Sequence, residues 1–195
     1  MSEIMKRAGD RVHDREIRMS AYEAGDSHVI IEGFLEDRRL YDYYVFSGGT
    51  ERAGLLHSMT VRMLVQFPQM IIEDVEAEIT EYPRDECPSA LAAVSSIKGM
   101  KIGPGFAEEI NAQLGGVKSC AHIVQLIRNM AFVLFQGLST SRARRPFDDV
   151  TDWEVSILKK IVTDTCLVWK KGGKALQDID ADFEKIRSRR RQQGG

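Results

Sequence analysis

An α+β fold is predicted: an N-terminal antiparallel β-sheet made of hairpins, packed by C-terminal helices. Three features carry this. Residues 58–80 alternate apolar and polar side chains with the period of two that a sheet with one buried face requires. Beyond Tyr82-Pro83 the apolar period becomes helical. Strands come first and helices after, the order of segregated layers and not of alternating βαβ units.

The elements follow in chain order. Residues 15–23 (REIRMSAYE) and 28–35 (HVIIEGFL) form a hairpin about Ala24-Gly25-Asp26-Ser27, which is turn chemistry. The segment EDRRLYDYYV extends the second strand, and Gly48-Gly49 marks a loop. In SMTVRMLVQF, Met59, Val61, Met63, Val65 and Phe67 share one face, and Thr60, Arg62 and Gln66 the other. Pro68-Gln69 turns the chain, and Ile71, Val75, Ala77 and Ile79 line the returning face, interrupted by Glu73. Folding about that turn sets residue 57 opposite residue 80, at the open end of the hairpin. Pro88 suits the first position of a helix over PSALAAVSSIK, with Cys87 as its N-cap and Gly99 ending it. FAEEINAQL is a short helix stopped by Gly115-Gly116, and Ser119 caps a long helix to about Gln136. STSRARRPFDD reads as a loop, and Thr151 to Glu154 as a capping box. That box starts a helix with Trp153, Ile157, Leu158, Ile161 and Val162 on one stripe, and an amphipathic helix spans 174–187. The organisation expected is a core over 1–140, a helical extension of the same domain over 141–187, and a disordered basic tail over 188–195.

Composition excludes several functions. With 27 basic and 29 acidic residues in 195, no general field attracts nucleic acid. The end KIRSRRRQQGG concentrates five basic residues on a body that is otherwise acidic, which reads as a solvated terminus. The most apolar stretch, IVQLIRNMAFVLF, is broken by Arg128 and Asn129, so no membrane span is expected. MSEIMKRAGD lacks the apolar stretch of a signal peptide, which points to the cytoplasm and to reduced thiols.

Chemistry-bearing residues are few. His57 lies at the open end of the hairpin and Cys87 shortly beyond that same end, so the two can meet. Cys87 and Cys120 both fall at helix starts, where free N–H groups and the peptide dipoles favour a thiolate, the form that binds metal or accepts sulfur. His122 stands two residues past Cys120; in a regular helix the two point apart, so it joins only as a weaker ligand, with Asp85 an alternative. Each of these cysteines could equally be core filler, and Cys166 reads as core. His13 and His28 have no partner in view. IGPGF lacks the spacing of a dinucleotide fingerprint, and no Ser/His/Asp arrangement is visible.

On these residues the chain resembles a bacterial family of uncharacterised proteins, a domain of unknown function. The likeness covers roughly residues 13–137 and continues loosely to about 170. It rests on His57-Ser58-Met59, on DVEA at 74–77, on Cys87-Pro88, and on IGPGF followed by LGGVKSCAH, where the family reads GGVxGCTHL. A more distant likeness is to IscU/NifU-type iron–sulfur scaffold proteins, in which three cysteines aided by Asp or His bind zinc or assemble a cluster. It implies an IscU/NifU-like core with His57, Cys87 and Cys120 at the three cysteine positions and Met59 where the aspartate stands.

The function expected is a cytosolic metal-binding or sulfur-handling carrier with His57, Cys87, Cys120 and His122 as ligands. Zinc or an iron–sulfur cluster would be the cofactor, and a sulfur donor or client protein the partner. Two alternatives stand beside it: an accessory or small-molecule-binding protein whose cysteines merely pack, and an enzyme with a Cys120 nucleophile and His57 or His122 as base. The last lacks an orienting carboxylate in the sequence.

Overall fold

The computed structural model describes residues 2–193. The chain divides into two units, Met1–Gly137 and Leu138–Gly195, with the boundary inside a helix. The fold class is α+β. The first unit holds a four-stranded antiparallel sheet of β1 (His13–Glu23), β2 (His28–Arg39), β5 (Gly54–Gln66) and β6 (Ile71–Glu81), in the order β1-β2-β5-β6. Two short strands, β3 (Tyr43–Tyr44) and β4 (Thr50–Glu51), form a separate ribbon about Gly48 and Gly49, both at positive φ.

The buried face of β2 is Val29, Ile31, Gly33, Leu35 and Asp37, and that of β5 includes Met59, Val61, Met63 and Val65. Alternation predicts both, except that a carboxylate closes the first series. In β6 the buried residues are Ile72 and Val75, with Ile79 half-buried. Ile71 yields its core position to Ile72 because pairing shifts between Leu64 and Val65. The bulge changes the phase of the strand, so Glu73 points to solvent, where its Oε2 lies 2.6 Å from His28 Nε2.

Residues Cys87–Ile97 form a 3₁₀ helix rather than an α-helix. Cys87 is its first residue and Glu86 occupies the cap position. The chain then returns beside β6, with Gly99 N–H on the Ile72 carbonyl and Ile72 N–H on that of Met100, at 2.8 and 2.9 Å. Helix α1 (Phe106–Leu114) buries Phe106, Ile110 and Leu114.

Helix α2 (Ala121–Ala143) crosses the sheet and buries Ile123, Leu126, Ile127, Met130 and Leu134. It extends through STSRA, which the sequence suggests is loop. Glycines let it seat closely: a Cβ on Gly33 of β2 would stand 3.0 Å from the Met130 sulfur, and one on Gly137 would fall inside contact distance of the Ala21 Cβ.

The second unit contains the last turns of α2, α3 (Asp152–Val162) and α4 (Lys174–Gln193). Thr151 and Glu154 form the expected capping box. The apolar stripe of α3 is half-exposed, and Cys166, expected in the core, is exposed. Residues 188–193, expected to be a disordered tail, continue α4 as helix, with Arg190 donating to the Val150 carbonyl at 2.8 Å; Gly194 and Gly195 lie outside the described residues. No helix among the described residues is long and apolar enough to cross a membrane.

Candidate metal centre

Antiparallel register lays out the site. Arg15 of β1 is paired with Asp37 of β2, and Asp37 with His57 of β5, one row across three adjacent strands. The row lies on the face that α2 covers, because Asp37 continues at period two the series that includes Gly33, which meets Met130 and Leu126. His13 is two residues from Arg15 on the same face of β1. Just past His57 the β2–β5 register shifts, leaving Leu56 as an extra residue before pairing resumes at Arg38↔Leu55.

The fourth wall is the start of α2. The Val124 N–H bonds the Cys120 carbonyl at 3.0 Å, so Cys120 is the cap residue and His122 lies in the first turn. Ser119, expected as the cap, instead donates its hydroxyl to the Ala90 carbonyl at 3.1 Å. Cys120 is thus outside the helix proper, which frees it from the rule that keeps residues two apart on opposite sides. Its sulfur reaches to 3.6 Å from His122 Nδ1.

Asp37, 1% exposed, is the hub. Its Oδ1 accepts from Arg15 Nε at 2.7 Å and lies 3.2 Å from His13 Nε2. Its Oδ2 accepts from Arg15 Nη2 at 2.7 Å, and lies 3.0 Å from His57 Nδ1 and 3.6 Å from His122 Nε2. The His57 and His122 rings are 4.3 Å apart between centroids. Arg15 also donates from Nη1 to Gln125 of α2 at 3.1 Å. Three of the chain's four histidines therefore surround one buried carboxylate.

Charge states follow from these contacts. The Arg15 guanidinium, helped by His13 and His57, holds Asp37 at about 2 against an ordinary 3.8, although burial opposes this. His122 is shifted down, first by burial and then by the nearby His57 and Arg15 charges, with Asp37 working the other way. At neutral pH the site presents an ionised carboxylate and a neutral His122 imidazole, the states in which both groups ligate metal.

Asp37, His57 and His122 each offer a donor atom within 4.8 Å of the others, enough to hold one ion. Of the residues expected as ligands, His57 and His122 are brought together. Cys87 and Cys120 are not in this group, and Met59, 1% exposed, is part of the core. The carboxylate in this group is Asp37 and not Asp85. It was legible in the sequence only as the next in-phase position after Leu35.

A family described as "protein of unknown function (DUF2889)" matches residues 13–136. The chain belongs to the DUF2889 family. The matched span includes His13, Arg15, Asp37, His57, Cys120 and His122. No curated protein and no solved structure matches the chain.

Proposed function

We propose that the chain is a metal-dependent protein that holds one zinc or iron(II) ion on Asp37, His57 and His122 and keeps coordination positions open for an outside ligand. The observation that carries this is the spacing of donors around Asp37 Oδ2. Metal–donor bonds of about 2.0–2.2 Å set ligand atoms roughly 3.0–3.6 Å apart at one ion. His57 Nδ1 and His122 Nε2 stand 3.0 and 3.6 Å from that oxygen. The first distance also fits a hydrogen bond, whereas the second is too long for one. Two imidazoles and one carboxylate suit a borderline divalent ion, and three protein donors are typical of sites that act on a bound ligand. An iron–sulfur cluster draws on thiolates, and Cys87 and Cys120 stand outside the group, so a mononuclear ion is the better-supported form of the metal expectation. Asp37 is also held by Arg15, His13 and the strand, the kind of outer support that orients ligating carboxylates.

Elemental analysis of anaerobically purified protein tests the reading. About one ion per chain is expected, retained in Cys87→Ser and lost in His57→Ala. A metal-free protein that also takes up neither Zn²⁺ nor Fe²⁺ on titration would overturn it, as would loss in Cys87→Ser with retention in His57→Ala.

One observation favours a second reading. The His122 ring stands between Cys120 and Asp37, with the sulfur 3.6 Å from Nδ1 and Nε2 3.6 Å from Oδ2. Asp37 stands just beyond hydrogen-bond distance of Nε2, so it would orient the ring for a Cys120 nucleophile only after a small approach. A metal-free protein whose Cys120 alkylation by iodoacetamide slows in His122→Ala would favour it.

A further inference from the structure

Beyond the Asp37–His57 row, the ends of β2 and β5 and the ribbon β3–β4 enclose a cavity of about 270 Å³. Arg39, Tyr43, Arg52, Leu56 and Tyr82 are among its lining residues. Arg39 lies one pleat beyond Asp37 on the same face of β2, since the β1–β2 pairing stays regular from Arg15↔Asp37 to His13↔Arg39. Two residues along a strand cover about 6.6 Å. The Arg39 guanidinium lies over the Tyr43 ring, 3.6 Å from its centroid. Its Nη1 is buried without a hydrogen-bond partner, the single such side-chain nitrogen or oxygen among the described residues. A buried guanidinium donor with no acceptor is costly, and native proteins rarely keep one unless a ligand or ion completes it.

The surrounding charge points to what completes it. Arg39 and Arg52 bring two positive charges, and Glu51, whose carboxylate accepts from the Tyr43 hydroxyl, brings one negative. The nearby carboxylate, Asp37, is already engaged by Arg15. A divalent ion on Asp37, His57 and His122 would therefore leave its charge largely uncompensated by protein. The larger cavity, about 570 Å³ along α1 and α2, shares Gln125 with the Arg15 network but contains no orphaned polar atom.

We propose that the 270 Å³ cavity is an anion subsite, in which Arg39 binds the carboxylate end of a small organic acid whose other end reaches the open positions of the metal. The planar guanidinium fork, stacked on Tyr43, matches a carboxylate edge-on, and Arg52 faces the same space. The cavity is below the usual size of a ligand pocket, so it takes a small acid or the acidic end of a larger one. The subsite stands on Arg39 alone, whereas assigning its occupant as the metal's ligand rests on the metal reading above.

The test is a backbone-amide NMR titration of the full chain with sodium acetate and, separately, inorganic phosphate, without metal and after loading with Zn²⁺. Acetate is expected to shift the amides of Arg39, Gly54 and Leu55 saturably in the metal-free protein, at least tenfold more tightly than phosphate. Arg39→Gln should weaken acetate at least tenfold while keeping a dispersed spectrum. Absence of saturable shifts at these amides in the wild type overturns the subsite, whether or not Arg39→Gln folds. Equal acetate binding by a folded Arg39→Gln also overturns it, and tighter binding of phosphate overturns the carboxylate assignment. With Zn²⁺ loaded, acetate should bind at least threefold more tightly; an unchanged affinity removes the link to the metal. Failure to take up Zn²⁺ sinks the metal reading only, because the metal-free titration decides the subsite.

Discussion

Replacing Asp37 by Asn keeps the shape of the hub and removes its charge. Arg15 is held at 2.7 Å through both Nε and Nη2 and loses its counter-charge, and His13 and His57 lose the anion they share. The size of the loss follows from the depressed titration of Asp37. The difference between about 2 and the ordinary 3.8 corresponds to about 2 kcal/mol of stability from the ionised form. Because the folded-state value is the lower one, this contribution is complete above about pH 4 and disappears as pH falls through 2. In chelator, the variant should be less stable at pH 7 by about 2–3 kcal/mol, including the cost of leaving Arg15 unpaired. The gap to wild type should close between pH 5 and pH 2, since other carboxylates titrate in both proteins and cancel.

Urea unfolding at several pH values measures this, and 2 kcal/mol shifts the midpoint by roughly 1 M. The probe matters. Trp153 and Trp169, the two tryptophans of the chain, lie in the unit Leu138–Gly195, so indole fluorescence reports on the wrong unit. Amide exchange at Ile31 and Val61 in the sheet core reports on the right one. A gap under 1 kcal/mol at pH 7, or one that stays constant from pH 5 to pH 2.5, would refute Asp37 as an ionised hub.

Two further substitutions probe the scaffold. Gly137→Ala places a methyl group against Ala21 and should cost about 1–3 kcal/mol in the sheet unit; combined with Ala21→Gly, the loss should be less than the sum, and additivity would show that the two do not touch. Thr151→Ala removes a capping box in which Glu154 N–H donates to Thr151 Oγ1 at 3.2 Å, and should cost about 1 kcal/mol read by tryptophan fluorescence; no change would mean that α3 does not depend on its cap.

The sheet was legible because one buried face imposes period two, and Val61, Met63, Val65 and Val75 obey it. What alternation misses is the bulge, which follows from pairing between strands and not from either strand alone. It turns Ile72 inward and accounts for Glu73. The site was half legible. Histidine is a ligand type wherever it falls, so His57 and His122 stood out, and His122 became able to reach Cys120 only because the cap falls one residue later than expected, at Cys120. Asp37 was hidden in EDRR, which reads only as an extension of the second strand. Its meaning depends on Arg15 and His57 arriving from neighbouring strands, which no local pattern reports. The cysteines drew weight from helix-start arguments, but Cys87 begins a 3₁₀ helix after Glu86 and does not cap an α-helix.

The glycines on which α2 rests and the position of His122 belong to one mechanical argument. The row Arg15–Asp37–His57 is fixed by strand pairing, so its internal distances are set by the sheet. His122 is delivered by a different element, and its distance from Asp37 depends on how α2 lies across that sheet. Two close contacts contribute to this: Gly33 under Met130, and Gly137 on Ala21. Gly137 is fifteen residues from His122, about 22 Å along the helix, so a side chain there pries the helix at the end opposite the site. Pivoting on Gly33, a lift at one end displaces His122 by a comparable amount at the other. A metal tolerates only a few tenths of an ångström in its ligand bonds, and His122 stands 3.6 Å from Asp37. Close seating of α2 is thus what brings an imidazole from a helix to a carboxylate in a sheet, and positions with no chemistry of their own set the geometry of the site.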